Sequence, residues 1–224
     1  EIGSGLVGSE MCIRDRYASE WMTADIYRDG FHYHLDFQKG ENVGGLQKEP
    51  FKGKRTGSVI RWKPDLEVFT DINIPPEYYQ DVMKRQAVVN AGVTFRFRKQ
   101  VGGKFETTDY RYENGIQDYV AELSGEDALT LPVFWQTERK GRDRADKPEY
   151  KLKMQLAFCF NNEINLIEYY HNSSYLENGG SPDKAVRSAF VSEIDKYIKA
   201  QGKYNKDETK ITFADIQDLS LIHI

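Results

Sequence analysis

Cysteine is scarce: two residues in 224, Cys12 and Cys159, far apart and with no CxxC or Cys/His spacing. That excludes a disulfide framework and a finger-type zinc site. Cys159 lies inside LKMQLAFCF, a run that reads as a strand, so a buried, inert thiol in a reducing compartment is expected. Long hydrophobic runs are missing too. No apolar stretch approaches the roughly 20 residues of a membrane span, and no basic-then-apolar leader pattern is visible. Positive charge is not in excess: 31 Lys and Arg face 35 Asp and Glu, for a net charge of −4. This excludes a strongly basic nucleic-acid binder but leaves room for a local basic face on phosphates. Neither an internal repeat nor a low-complexity tract is present. What remains is long enough for one large domain or two small ones with real cores.

Taken in order, residues 1–16 have no helical or strand period and resemble translated adapter read-through, as do residues 219–224 at the other end. Both are set aside as non-native, leaving about 17–218. From Trp21, Met22, Ala24 and Ile26 fall on one face; after Asp29-Gly30, Phe31, Tyr33, Leu35 and Phe37 fall on another. An Asp-Gly pair between alternating runs predicts a hairpin. Lys39–Lys54 reads as a Gly- and Lys-rich loop, and Val59–Trp62 as a strand after a turn at Gly57. A helix starts at Pro75-Pro76-Glu77, with Tyr79, Val82, Met83 and Val89 inward and Gly92 as its left-handed cap. VTFRFRKQ and FETTDYRYE form a second hairpin across Gly102-Gly103. Asn114 then caps a short helix with Ile116, Tyr119, Val120 and Leu123 inward. Val133–Thr137, Tyr150–Phe160 and Asn165–His171 read as strands, Glu138–Glu149 as a charged loop, and the segment after Gly202 as a loop and a further strand.

The best helix follows Gly179-Gly180. Ser181 is a good N-cap, Pro182 suits the first turn, and Asp183 sits at the positive end of the helix dipole. Val186, Ala189, Phe190, Ile194, Tyr197 and Ile198 make one face; Lys184, Arg187, Glu193 and Lys196 make the other.

Four groups invite a functional reading. His32, His34 and Asp36 alternate on one strand face and could ligate a metal, although the wet side of a half-buried hairpin accounts for the alternation without a ligand. Cys159 with His171 could be a nucleophile and base, with nothing in the sequence to bring them together. Gly179-Gly180 ahead of a helix could cradle an anion, but neither GxxxxGKS nor GxGxxG is present, so a tight turn is expected. Lys184 and Arg187, three apart, share a helix face that could meet phosphates or simply be solvated.

Five segments in register carry a resemblance: YASEWMTADIYRDG, RTGSVIRWKPDLEVF, AVVNAGVTFRFR, YENGIQDYVAEL and ENGGSPDKAVRSAF. In order and spacing they resemble the B subunit of bacterial type II DNA topoisomerases, DNA gyrase and topoisomerase IV. The resemblance spans essentially 17–218. It implies an α+β chain of two α/β two-layer pieces. Residues 17–112 would be the C-terminal part of an ATP-binding domain of the Hsp90 and histidine-kinase type, and 113–218 a truncated transducer domain with a mixed sheet and packed helices.

Residue by residue, Gly57 and Ser58 match the family's Gly-Thr at the adenine pocket, with the hydroxyl kept. Arg187 matches an arginine lining the cavity that receives the transported DNA segment, and Lys184 shares its face. Asn172 matches the first of a paired Asn, whereas Ser173 departs from the second and Ser181-Pro182 replaces Thr-His. The implied activity is isomerisation of DNA topology driven by ATP with Mg2+, with most ligands for both outside this stretch and the fragment alone inactive. The implied partners are DNA, the topoisomerase A subunit in a heterotetramer, and a second copy of the B-type chain on nucleotide binding. The implied location is cytoplasmic, away from membranes. Alternative readings are a MutL- or Hsp90-like ATPase fragment and a non-enzymatic α/β binding module.

Overall fold

The Asp29-Gly30 pair makes the turn that the flanking runs require. Both residues take positive φ, 53° and 77°, the mirror-image turn whose twist matches antiparallel strands. It joins β1 (Ser19–Arg28) to β2 (Phe31–Gln38) with Met22 opposite Phe37 and Ala24 opposite Leu35. These four residues are the buried centre of the first core. The computed structural model describes residues 16–126, 128–142, 144–161, 163–205, 210–217 and 220–223, the last four through their backbone. Residues 1–15, expected to be non-native, lie outside the described residues.

Two further strands complete an antiparallel sheet in the order β3-β2-β1-β4: β3 (Glu41–Pro50) and β4 (Gly57–Pro64). The loop expected over Lys39–Lys54 is therefore corrected to an edge strand. Every residue of β3 is exposed, so it carries no apolar alternation to reveal it. It is held by backbone pairing with β2, and the register slips where Gly44 and Gly45 take φ of 81° and 71°. A bulge of this kind twists an edge away from further pairing.

The chain divides into two compact units, one ending at Pro75 and the other beginning at Pro76. The second unit opens with α1 (Pro76–Val89), followed by the hairpin β5 (Phe95–Val101) and β6 (Lys104–Tyr110) and by α2 (Ile116–Ser124). Ala87 and Val88 of α1, Tyr112, Ile116, Tyr119 and Val120, and Ala157 and Cys159 form its core. Tyr112, which the sequence places at the end of a first domain, packs inside this second core. Val88 and Val120 are 1% and 0% exposed, each worth about 1.5–3 kcal/mol of burial.

The inward face of α1 differs from expectation. Tyr79 and Val82 are exposed, and Tyr79 stacks on Phe97 of the hairpin with ring centroids 6.3 Å apart. In α2 the expected residues do turn inward, but the cap is different. Gly115 occupies the N-cap position, and the Asp118 carboxylate accepts the Asn114 backbone N–H at 2.8 Å and its Nδ2–H at 3.0 Å.

A mixed sheet follows in the order β7-β8-β12-β9, from β7 (Val133–Gly141), β8 (Tyr150–Phe160), β9 (Leu166–Glu168) and β12 (Ser220–His223). The strand expected over Asn165–His171 is split into β9 and β10 (Tyr170–His171), which turns back into β11 (Ser174–Tyr175). The stretch after Gly202, expected to hold a loop and a strand, contains α4 (Phe213–Gln217) and then β12. The backbone of Ser220–His223, expected from the sequence to be non-native, pairs antiparallel with β8 and parallel with β9. The long helix α3 (Gly180–Ala200) begins one residue before Ser181. Its N-cap is Gly179, so Ser181 lies inside the first turn rather than capping it.

Candidate functional site

Cross-strand pairs share a face of a sheet, which sorts the first unit cleanly. One side carries the rows Trp62–Met22–Phe37, Ile60–Ala24–Leu35 and Ser58–Ile26–Tyr33. It is buried at its centre but open along β4, where Ile60 and Trp62 are 43% and 48% exposed. Ser58 therefore presents its hydroxyl at the rim of an apolar surface, and it too is exposed. Gly57 begins the strand with φ of 117°, a conformation that β-carbon-bearing residues rarely adopt. A planar, apolar ring with a polar edge is the kind of group this surface suits.

The other side of the same sheet carries His32, His34 and Asp36, and the structure adds Asp25 and Arg61. Asp25 Oδ1 accepts hydrogen bonds from His32 Nε2 and His34 Nδ1, both at 2.8 Å, and Asp25 Oδ2 accepts one from Arg61 Nη1 at 2.8 Å. Asp36 lies outside this focus and accepts from His34 Nε2 at 3.0 Å. Partial burial works against the Asp25 carboxylate, but the bonds from His34, His32 and Arg61 outweigh it and hold its pKa at about 2. The bond to Asp25, reinforced by Asp36 against partial burial, raises the pKa of His34. Tyr27 stacks on His32 with centroids 4.7 Å apart and fixes its ring.

In the second unit the expected basic face of α3 is more committed than its sequence suggests. Arg187 is half-buried: its Nε–H donates to Asp183 Oδ1 at 2.6 Å and its guanidinium lies 4.4 Å over the Phe213 ring. Asp183 also accepts the Tyr169 hydroxyl at 2.9 Å; burial and this carboxylate raise the pKa of Tyr169. The expected apolar face is corrected as well. Ala189 and Tyr197 are exposed, and the buried position on the helix is Asp195, held by Lys199 Nζ at 2.8 Å and the Tyr204 hydroxyl at 2.9 Å. Lys184 is exposed. Arg187, Ser188, Val191, Ser192 and Lys210 line an open groove of about 480 Å³. Nε is the nitrogen of Arg187 engaged among the described residues, so its two Nη groups can serve an oxyanion in that groove.

The glycine pair ahead of α3 is a tight turn. Gly179 and Gly180 take φ of 64° and 68°, and a β-carbon on Gly179 would lie 2.6 Å from that of Asp183. Asn172 and Ser173 also take positive φ, making the β10–β11 turn, and the Ser173 carbonyl accepts Gln86 Nε2 at 2.8 Å. Cys159 is wholly buried in the second core, where desolvation raises its pKa, and His171 is exposed on β10. The structure does not build them into a nucleophile–base pair.

The family model described as DNA gyrase B matches residues 115–223. The chain is 26% identical over 202 residues to the DNA gyrase B protein of Chlamydia muridarum, covering 89% of this chain and 24% of that protein. It is 24% identical over 204 residues to the DNA topoisomerase 4 B protein of Enterococcus faecalis, covering 89% and 28% respectively. The chain is similar to the B subunits of the type II DNA topoisomerases gyrase and topoisomerase IV. It spans about a quarter of the length of these curated relatives. Its α+β fold is that of the 43K ATPase domain of Thermus thermophilus gyrase B, solved with an aminocoumarin. The TM-score is 0.66 at 22% identity, over 93% of this chain and 55% of that one.

Sequence reasoning missed Asp25, Arg61, Asp183, Tyr169 and Phe213 as partners of the residues it singled out. For Asp25 a signal existed. In a two-residue hairpin at Asp29-Gly30 the register is set, and it places Asp25 opposite His34.

Proposed function

We propose that this chain is the ATPase–transducer region of an ATP-dependent type II DNA topoisomerase, whose intact B-type chain couples hydrolysis to passage of one duplex through another. The observation that carries the reading is the match of 89% of the chain to the B-type chains of both gyrase and topoisomerase IV. Residues 17–112 act as the end of the ATP-binding domain and 113–218 as the transducer; the family match beginning at residue 115 supports that functional division, which falls inside the second compact unit rather than at its Pro76 edge. Gly57 and Ser58 meet the adenine, the hydroxyl supplying a hydrogen bond at the rim of the apolar sheet face while Ile60 and Trp62 offer flat apolar contact. ATP supplies the free energy when bound. Mg2+ takes oxygen ligands in octahedral geometry, which the nitrogen-rich group at Asp25 does not suit, so its ligands are assigned outside this chain.

Arg187 contacts DNA phosphate from α3. Its Nε is anchored on Asp183 and its plane on Phe213, so the Nη groups are held toward the groove that Lys210, Ser188 and Ser192 also line. Lys184, one turn back and exposed, adds a weaker contact of the same kind. The partners are DNA, the topoisomerase A subunit in a heterotetramer, and a second copy of the B-type chain, in the cytoplasm. Two preparations test the proposal. The 224-residue chain alone should hydrolyse no ATP above background. The same residues in their complete reading frame, with the A subunit, should pass strands in an ATP-dependent manner. Failure of the complete frame to do so, or ATPase activity in the isolated chain, would refute the reading.

A further inference from the structure

We propose that Asp25, His32 and His34 form a binding site for a divalent transition metal of the zinc class on the outer face of the first sheet. The site is built from two neighbouring strands. His32 and His34 are two apart on β2 and project to the same side, and Asp25 stands directly opposite His34 on β1. Their ligand atoms all lie within 4.8 Å of one another. His32 Nε2 and His34 Nδ1 each lie 2.8 Å from one oxygen, Asp25 Oδ1. Tetrahedral zinc, with bonds of about 2.0–2.2 Å to nitrogen and oxygen, needs donors roughly 3.4 Å apart. The two histidine nitrogens thus have to draw back from Asp25 Oδ1 by about half an ångström, a movement within side-chain reach. Solvent completes the coordination.

The surroundings are those of a ligand set rather than of a chance polar face. A metal-bound imidazole usually donates its far N–H to a carboxylate, which fixes the ring and strengthens the ligand. His34 does this: Nδ1 points to the focus while Nε2 donates to Asp36 Oδ2 at 3.0 Å. His32 is held by the stacked Tyr27 ring, with an interplanar angle of 13°. Arg61 occupies Asp25 Oδ2 and leaves Oδ1 turned to the histidines. On the edge strand, Glu49 and Gln47 stand opposite His32 and His34 and keep that border polar. Two imidazoles and one carboxylate favour zinc, copper or nickel over magnesium or calcium. The alternation of His32, His34 and Asp36 alone is explained by a wet strand face. The convergence of both rings on one oxygen of a different strand is not.

The site is tested by titrating zinc into the full chain by calorimetry, in a C12S background so that the thiol outside the described residues does not contribute. Cobalt absorption provides a second readout of coordination. The expected result is saturable 1:1 binding, weakened at least tenfold by H32A and by H34A and left unchanged by H171A. D36N, which keeps all three ligands, should weaken binding about tenfold, with circular dichroism showing that each variant remains folded. No saturable binding at 100-fold molar excess of zinc, or affinity unchanged by both H32A and H34A, or affinity equally lost in H171A, overturns the proposal.

Discussion

Replacing Asn161 with alanine should destabilise the second unit by about 1.5–4 kcal/mol. Asn161 is 1% exposed and ties the end of α2 to the turn after β8. Its Nδ2–H donates to the Ser124 carbonyl at the end of α2 at 2.9 Å, and its Oδ1 accepts the backbone N–H of Glu163 at 2.7 Å and of Ile164 at 3.2 Å. N161A strips the buried Ser124 carbonyl of this donor, at a cost of about 1–3 kcal/mol. The two amides lie nearer solvent, where water recovers part of their loss, leaving about 0.5–1 kcal/mol for the pair. N161D is the sharper probe. It preserves both acceptor bonds but sets a carboxylate oxygen against a carbonyl, so the folded state favours the protonated form. Because the folded pKa then lies above the unfolded one, stability relative to the parent falls as pH rises above about 4. Urea unfolding followed by Trp135 fluorescence in a background with Trp21 and Trp62 replaced by Phe measures both effects. A loss under about 0.5 kcal/mol for N161A, or an N161D deficit that does not change with pH, would show that the bonds do not latch α2 to the sheet.

Two further predictions test neighbouring features. G179A should cost clearly more than G180A in thermal unfolding. Both carry positive φ, worth about 1–2 kcal/mol for a β-carbon, but only at Gly179 would that carbon meet Asp183 at 2.6 Å; equal costs would contradict the packed turn. Lys199, with a further bond from Tyr204, depresses the pKa of Asp195 against the effect of burial. Its stabilisation is therefore present above the unfolded carboxylate pKa and lost as pH falls through the folded one. The stability gap between parent and D195N, read from melts at neutral pH and at pH 3, should narrow on acidification, and a gap that stays constant would refute the assignment.

The strands and helices with strong periodicity were legible. The Asp29-Gly30 hairpin, the Gly102-Gly103 hairpin, α2 and Tyr150–Phe160 stand where their apolar alternation and turn residues placed them. β3 was illegible because a fully exposed edge strand needs only backbone pairing, and the amide groups of GENVGGLQKEP are no different from those of a loop. The faces of α1 and α3 were misread for another reason. Their hydrophobic residues exceed what one stripe can bury, so Tyr79, Val82 and Tyr197 stay out, while Asp195 goes in with its charge neutralised by Lys199. Of the candidate sites, His32, His34 and Arg187 could be picked from residue type and spacing. Their partners Asp25, Asp183 and Phe213 lie 7, 4 and 26 residues away, positions set by tertiary pairing and helix geometry.

The proposed contact of α3 with DNA rests on Arg187, whose Nε is held by Asp183 and whose guanidinium lies over Phe213. In the complete reading frame, ATPase activity should be compared with and without duplex DNA for the parent, R187Q and R187K. R187Q should lower DNA-stimulated turnover severalfold while leaving basal turnover near the parent's, and the slope of log affinity for DNA against log salt should fall by about 0.9, the loss of one phosphate contact. R187K, which keeps the charge, should retain most of the stimulation. Equal loss of basal and stimulated turnover in R187Q, with an unchanged salt slope, would contradict the account.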